Sequence, residues 1–329
     1  MTDFASLALA NLTAPAVLFF GLGAAAGFAR SDLSIPEAVT KGLSIYLLLA
    51  IGFKGGVAAQ REGLSPDFLE ALGLGLVLSA GMPFIAFAIA RLAAPKLDRT
   101  TLAGLAAHYG SISIVTFVAA MDFAKLAGFK PGDYLAAVAA AMETPGIIAA
   151  LMLAGSKSAI DTRGGHGQGE LLREVLLNGS IVVLVGAFAI GLLSGQAGMK
   201  RLDLFVNGLF AGVLCLFLLE MGLVAARRLQ GNNRLTVPLV LAGLAIPLIG
   251  AGLALAGAAA LGMAAPDGAI LMTLAASASY IAAPAAVRLA LPEADPGVYL
   301  PLAIGVTFPF NIALGIPLYA AAAQAVLAG

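Results

Sequence analysis

The segment "HYGSISIVTF" (108–117) places a glycine, two serines and a threonine in the middle of a long apolar stretch. The segment "ASASYIAAP" (276–284) shows the same kind of interruption in the second half of the chain. Inside lipid an unpaired backbone group costs several kcal/mol, so a helix break survives only where protein or water lines it. The two segments therefore predict two membrane spans that are broken near their middles.

The composition predicts an integral membrane protein. Of 329 residues, 60% are hydrophobic and 11% are charged, whereas soluble domains are about 45–50% apolar and about 25% charged. The formal net charge of +0 gives no basic surface, so we expect no nucleic-acid partner. Cys215 is the one cysteine and there are two histidines. This excludes an internal disulfide and a Cys/His set for zinc or iron, and we predict no cofactor.

Apolar stretches long enough to span a membrane recur along the chain. A spanning helix needs about 20 mainly apolar residues, and on this measure we predict an all-α polytopic protein with ten transmembrane helices. The predicted spans, numbered one to ten, cover 13–29, 36–59, 68–93, 100–122, 132–154, 174–194, 203–226, 235–262, 267–289 and 297–326. The N-terminus lacks a basic region before its first apolar run, so we expect no cleavable signal.

Lysine and arginine residues are divided unequally between the two sides of this arrangement. Twelve follow spans one, three, five, seven and nine, and six lie on the other side. Since cytoplasmic loops carry an excess of basic residues, the bias predicts that both termini lie outside the cytoplasm. We expect a multi-pass protein of the cell (inner) membrane. The Gly-rich, charged segment 156–173 is predicted to be a flexible cytoplasmic linker.

The two halves of the chain are weakly similar to each other. A shift of 166 residues pairs Ser113 with Ser279, and nearly the same shift aligns glycines and a proline of other spans. Each half holds five predicted spans. Because five is an odd number, the second half starts on the opposite side of the membrane from the first half and is inverted relative to it. We therefore predict a 5+5 inverted repeat, with the first repeat at 1–155 and the second at 174–329.

Two interrupted helices can form an anion site without arginine. Each helix N-terminus carries roughly +0.5 elementary charge, and its free N–H groups bind oxyanions together with serine hydroxyls. Helices restarting in spans four and nine would face a small monoanion in this way. The oxygens of Thr116, Ser279 and Glu143 suit a hard cation such as Na⁺. The alternative is that these serines are small packing residues at helix contacts.

Ionisable residues within predicted spans are functional candidates by default. Glu143 is the strongest of them. Lys54 and Glu220 occupy equivalent positions of the repeat. They either pair with each other or reach separately to the membrane surface, and we favour the second arrangement. Lys125 and Asp133 are interpreted as loop charges.

Five segments carry a resemblance to a known family. They are "IPEAVTKGLSIYLLLAIGFKGG" (35–56), "YGSISIVTF" (109–117), "METPGIIAALML" (142–153), "AASASYIAAPAAVRLALPEADPGVYL" (275–300) and "TFPFNIALGIPLY" (307–319). In these segments the chain resembles the sodium-dependent bicarbonate transporter family first described in cyanobacteria. The resemblance extends over nearly the whole chain.

The resemblance implies that bicarbonate binds between spans four and nine with Na⁺ beside it, and that a core domain moves against a gate domain in a homotrimer. It places substrate binding at Gly110, Ser111, Ser113, Thr116, Ser277, Ser279, Ile281, Ala282 and Ala283. With the oxygens of Thr116, Ser279 and Glu143 identified above, it adds Thr307 and Asn311 of the last span to the predicted Na⁺ ligands.

Some residues depart from the pattern of the family. Tyr280 stands where relatives have an acidic residue, and Ala278 stands where they have serine. The missing carboxylate would serve as a sodium ligand or support one, so its loss argues for weaker sodium coupling. The linker between the halves is short, which argues against a regulatory partner of the PII type.

These observations predict a secondary active transporter that imports a small monoanion by alternating access, with bicarbonate and sodium symport as the leading hypothesis. The alternative is a proton- or sodium-coupled carrier of another small organic anion on the same scaffold. We do not expect an enzyme, because the sequence contains no G-x-S-x-G, H-E-x-x-H or comparable catalytic set.

Overall fold

The computed structural model describes residues 4–63, 65–154, 179–230, 232, 234–280 and 282–328, and these residues form helices with no strand among them. The first half contains α1 (Phe4–Leu12), α2 (Pro15–Phe28), α3 (Glu37–Glu62), α4 (Pro66–Ala93), α5 (Arg99–Gly110), α6 (Ile114–Leu126) and α7 (Leu135–Ala154). The second half contains α8 (Gly179–Asp203), α9 (Phe210–Leu229), α10 (Val237–Leu261), α11 (Ala265–Ala275), α12 (Ala282–Ala290) and α13 (Pro296–Leu327). The predicted linker, 156–173, lies outside the described residues.

Polar caps and prolines set where several helices begin. The Ser65 side chain accepts a hydrogen bond from the Phe68 N–H at the start of α4. Asp98 accepts one from the Thr101 N–H at 2.7 Å at the start of α5. Helices α2, α4 and α13 carry proline in the first turn, where the missing N–H would have no helical partner in any case.

Seven helical segments of the described residues are long and apolar enough to cross a membrane, or eight if the bent pair α1–α2 forms one span. The protein is therefore a multi-pass, all-helical membrane protein. This number is lower than the ten predicted spans, and at several predicted positions the helices are short or joined. Helix α2 has 14 residues and α11 has 11, while Val182–Leu229 forms a single segment of 48 residues.

The helices divide into two packing groups. Helix α2 packs along α9 and α3 packs along α8, and these four helices form the first group. Glycines allow the close approach. A Cβ atom on Gly23 would lie 1.9 Å from the Leu219 carbonyl oxygen, and one on Gly56 would lie 1.9 Å from the Phe188 carbonyl oxygen. The second group is built on α4, α5 and α7 together with α10, α11 and α13, and it includes α6, which packs against α11, and α12, which packs against α5 and α7.

Connections between helices gather at two faces of the molecule. On one face the Arg99 side chain donates to the Leu153 carbonyl at 2.7 Å, which ties the start of α5 to the end of α7. On the opposite face Asp267 accepts from the Gly132 N–H at 2.6 Å and from the Tyr134 hydroxyl at 2.7 Å. We refer to these as the Arg99 face and the Asp267 face.

Candidate functional site

The first helix break separates α5 from α6 and is fully buried. Residues 111–113 are non-helical, and Ser113 has φ −97° and ψ 108°. The Ser113 hydroxyl accepts a hydrogen bond from the Thr116 N–H at 3.2 Å. Ser113 is therefore the N-cap of α6, and it satisfies one of the N–H groups that the first helical turn leaves open.

The second helix break separates α11 from α12 and contains two serines with structural roles. The Ser277 hydroxyl donates to the Leu274 carbonyl at 2.8 Å, close to the last turn of α11. The Ser279 hydroxyl accepts from the Ala283 N–H at 3.2 Å, in the first turn of α12. Like Ser113, these side chains bond to backbone groups that a broken helix exposes.

The two breaks lie against each other and share hydrogen bonds. The Ser113 N–H donates to the Ser277 hydroxyl at 2.8 Å. The Ser279 N–H donates to the His108 carbonyl at 2.7 Å and lies 3.1 Å from the Ser111 carbonyl. Each break thus satisfies backbone groups of the other, which is how two non-helical segments persist inside an apolar protein.

A small buried cavity lies where the breaks meet. Its lining comes from α3, both breaks and α7, and consists of Leu48, Ile112, Ser113, Ile114, Glu143, Ser279 and Tyr280. Its volume of about 10 Å³ is the space that one water molecule needs. The cavity therefore combines serine hydroxyls, a tyrosine and one carboxylate with the first residue of α6.

Three polar atoms at this site have no hydrogen-bond partner within the described part of the chain. They are the Ser111 hydroxyl, one carboxylate oxygen of Glu143 and the Tyr280 hydroxyl. All three side chains are buried. An unsatisfied buried polar atom costs roughly 1–3 kcal/mol, so these atoms are suited to a ligand that would satisfy them. Ser111 precedes the lining residue Ile112, whereas Glu143 lines the cavity itself.

The structure brings most of the predicted site residues together. Ser113, Ser279 and Glu143 line the cavity, and Ser111 and Ser277 belong to the hydrogen-bonded network around it. The remaining predicted residues near the breaks are buried in the first turns of α6 and α12, and they are Thr116, Ala282 and Ala283. Ile281 lies outside the described residues.

Gly110 has a packing role that its sequence position did not indicate. A Cβ atom on Gly110 would lie 2.3 Å from Pro83, and one on Gly146 would lie 2.1 Å from the Gly110 carbonyl carbon. The end of α5 therefore lies in direct backbone contact with α7. The absence of a side chain at Gly110 and Gly146 fixes the distance between the first break and the helix that carries Glu143.

Thr307 and Asn311 lie behind the second break, outside the cavity lining. The Thr307 hydroxyl donates to the Gly243 carbonyl at 2.7 Å and lies 2.6 Å from the Tyr109 hydroxyl. The Asn311 amide donates to the Ala276 carbonyl at 2.8 Å. Their polar atoms bond to other protein groups, so these two predicted sodium ligands hold the surrounding backbone in this structure.

Ser79 is a residue of this region that the sequence did not single out. Its hydroxyl lies 3.0 Å from the Gly110 carbonyl, 2.6 Å from the Met142 carbonyl and 3.0 Å from the Gly146 N–H. It therefore joins α4 to the end of α5 and to the α7 turn that carries Glu143. A lone serine in an apolar span is a weak signal, because such residues are common at helix contacts in membranes.

A polytopic helical protein with a polar cavity between two broken spans has the construction of a membrane carrier. Residues 15–324 match the family model of the Na⁺-dependent bicarbonate transporter superfamily, and the chain belongs to this superfamily. The match confirms the resemblance seen in the five segments, and it identifies a transporter family and no enzyme family. No curated protein shows significant similarity to the chain.

Proposed function

We propose that the protein imports bicarbonate together with Na⁺ by alternating access. The observation that carries this proposal is the contact between the two breaks at one buried cavity that contains a carboxylate. Carriers with broken helices bind anionic groups at half-helix N-termini and coupling ions at nearby oxygens. The superfamily match favours bicarbonate as the anion and Na⁺ as the coupling ion.

The bicarbonate would bind at the N-termini of α6 and α12. Each N-terminus carries roughly +0.5 elementary charge, so two of them offset about one negative charge. The N–H groups of Ile114 and Ala282 lie in first helical turns, where the helix itself supplies no acceptor. The Ser111 hydroxyl adds an unpartnered donor beside them. A small, oxygen-rich monoanion uses all of these donors, whereas a large organic anion would require more space.

The Na⁺ would bind beside Glu143. Hard cations prefer oxygen ligands. Glu143 supplies an unpartnered carboxylate oxygen, Ser279 supplies a neutral hydroxyl at the same cavity, and Thr116 is buried in the first turn of α6. Among the described residues, no three His, Cys, Asp or Glu side chains converge. A single carboxylate therefore balances a single positive charge. In this proposal Thr307 and Asn311 act indirectly, by holding the backbone behind the second break.

Alternating access would come from movement between the two packing groups. The cavity has the volume of one water molecule, so bicarbonate requires a more open conformation than this one. Leu48 of α3 bounds the cavity from the first group, and the breaks and α7 bound it from the second. Displacement of α3 relative to the breaks would widen the cavity towards one side and then the other.

Reciprocal helix contacts support the 5+5 inverted repeat. A Cβ atom on Gly222 would lie 2.1 Å from the Phe20 carbonyl oxygen, and one on Gly56 would lie 1.9 Å from the Phe188 carbonyl oxygen. Gly56 and Gly222 are 166 positions apart, and Phe20 and Phe188 are 168 apart. Exchanging the halves of the chain converts the α2–α9 contact into the α3–α8 contact, as an approximate two-fold relation requires.

The lengths of the segments support ten spans. Val182–Leu229 would be about 72 Å long as a helix, more than twice a hydrocarbon core of about 30 Å. It changes direction at Gly195, which has φ 55°, and there it divides into two spans. Helices α11 and α12 together form the interrupted ninth span, and α2 forms the first. The Arg99 face is then cytoplasmic, and both termini lie outside the cytoplasm.

Uptake of labelled bicarbonate into proteoliposomes tests the proposal. The purified protein should accumulate bicarbonate when Na⁺ is outside at higher concentration, and it should lose most of this uptake when choline replaces Na⁺. Empty liposomes are the control for leakage. Bicarbonate uptake that does not depend on the Na⁺ gradient would contradict the symport. Uptake of a carboxylate that bicarbonate does not inhibit would support a carrier of another small organic anion.

A further inference from the structure

A second, larger cavity opens on the Asp267 face, away from the buried site. Its volume is about 220 Å³ and its polar lining consists of Lys54, Arg61, Lys125, Asp133, Gln196 and Asn207. The lining comes from both packing groups, since Lys54 and Arg61 belong to α3 while Lys125 belongs to α6. We refer to this cavity as the vestibule. Three of its side chains are cationic and one is a carboxylate.

Two of the cations share one aromatic side chain. The Lys54 ammonium lies 4.2 Å from the centre of the Phe210 ring, and the Lys125 ammonium lies 6.0 Å from it. Such contacts stabilise a cation through the ring quadrupole. The two ammonium groups also lie within electrostatic range of each other. Two like charges are thus held close together, and an anion between them would relieve their repulsion.

Three carboxylates lie near this pair of ammonium groups. Asp133 lines the vestibule and lies within electrostatic range of Lys54. Asp203 also lies within range of Lys54, and it accepts a hydrogen bond from the Asn207 amide at 2.8 Å. Asp122 lies within electrostatic range of Lys54 and Lys125, outside the lining itself. These acidic groups moderate the positive potential, while the surface that a small ion would touch keeps more positive than negative side chains.

The vestibule and the buried cavity are bordered by the same two helices. Leu48, which lines the buried cavity, and Lys54 are both on α3, and a rise of 1.5 Å per residue separates them by about 9 Å. Helix α6 likewise begins at the buried cavity with Ile114 and reaches the vestibule with Lys125. The same two helices, one from each packing group, therefore border both cavities.

We propose that the vestibule, with Lys54 and Lys125 held over Phe210, is an anion-binding antechamber that concentrates a small monoanion before it enters the site between the broken spans. This inference rests on the proposed function for the identity of the anion. Cationic clefts raise the local concentration and arrival rate of anions by about 10-fold or more, and the effect falls steeply with ionic strength. The antechamber should therefore lower KM and leave the maximal rate unchanged.

The transport test compares the double variant Lys54→Gln/Lys125→Gln with the wild-type protein in proteoliposomes. We expect the KM for bicarbonate to rise about tenfold at low ionic strength, with an unchanged maximal rate and with little remaining dependence of KM on ionic strength. The control is Lys130→Gln, which removes an exposed lysine of the same face that does not line the vestibule. A KM equal to that of the control would overturn the proposal.

A binding test separates this inference from the transport function. Crystals of the wild-type protein in sodium bromide should show anomalous bromide density between Lys54 and Lys125, and density should persist in Lys130→Gln crystals. Absence of bromide at the vestibule in wild-type crystals would overturn the antechamber, whatever the substrate is. Bromide density in a protein that fails to transport bicarbonate would support the antechamber and reject only bicarbonate as the cargo.

Discussion

The two helix breaks have similar sequences and different roles. In the second break both serine hydroxyls are bonded to protein, because Ser277 contacts the Ser113 N–H and the Leu274 carbonyl and Ser279 contacts the Ala283 N–H. In the first break the Ser111 hydroxyl has no partner within the described part of the chain. The serines of the second break therefore brace the pair, while the first break offers a free serine hydroxyl.

This difference shows how an inverted repeat can produce an asymmetric site. Ser111 and Ser277 are 166 positions apart and equivalent in sequence, yet one hydroxyl is satisfied by the protein and the other is not. A shared substrate site needs both properties. Two non-helical segments must hold each other in place, and at least one must keep polar atoms for the ligand.

The largest expected effect comes from adding a side chain where α7 contacts the first break. Gly146→Ala would place a Cβ atom 2.1 Å from the Gly110 carbonyl carbon. Backbone cannot yield as a flexible side chain can, so we expect a loss of about 1–3 kcal/mol or more of stability and no measurable uptake. Thermal unfolding of the detergent-purified protein measures the loss. Gly81→Ala is the control, because nothing lies within 4 Å of its Cβ, and equal stability of the two variants would refute the contact.

The second largest effect is expected from removing the Ser277 hydroxyl, which holds the first break in place. Ser277→Ala takes away the acceptor for the buried Ser113 N–H, and an unsatisfied buried group costs roughly 1–3 kcal/mol. We expect a lower unfolding temperature and, because the breaks lose their mutual support, a lower maximal rate of uptake. The control is Thr273→Ala, which removes a hydroxyl bonded within α11 alone. A Ser277→Ala protein as stable as this control would mean that the second break does not brace the first.

Removing the free donor should have the smallest effect on stability and a specific effect on binding. Ser111→Ala deletes a hydroxyl without a protein partner among the described residues, so the unfolding temperature should stay near that of wild type. The affinity for bicarbonate should fall about tenfold or more, because a hydrogen bond to a charged group contributes about 1.5–3 kcal/mol. Titration of uptake against bicarbonate concentration measures this. Lower stability with unchanged KM would reverse the roles assigned to the two breaks.

The interruptions themselves were predictable from the sequence. Glycine, serine and proline inside apolar stretches conflict with an unbroken membrane helix, and the conflict is local, so the residues at 111–113 and around Ser279 could be identified directly. The all-helical fold followed from composition and length in the same way.

The partners of individual side chains were not predictable, because they depend on contacts between distant segments. Thr307 and Asn311 have oxygens suited to sodium, and only the packing of α13 shows that they bond to Gly243 and Ala276. Ser79 had no local signal for its role as a link between three helices. Lys125 was interpreted as a loop charge, whereas the structure places it with Lys54 beside the same aromatic ring.

The most direct test of the account is an experimental map of the protein in lipid nanodiscs with Na⁺ and bicarbonate, compared with one in choline chloride. We expect added density between the N-termini of α6 and α12, in contact with Ser111 and next to Glu143, with both spans broken at the serines. Continuous helices through residues 108–117 and 276–284, or bicarbonate density located elsewhere, would contradict it.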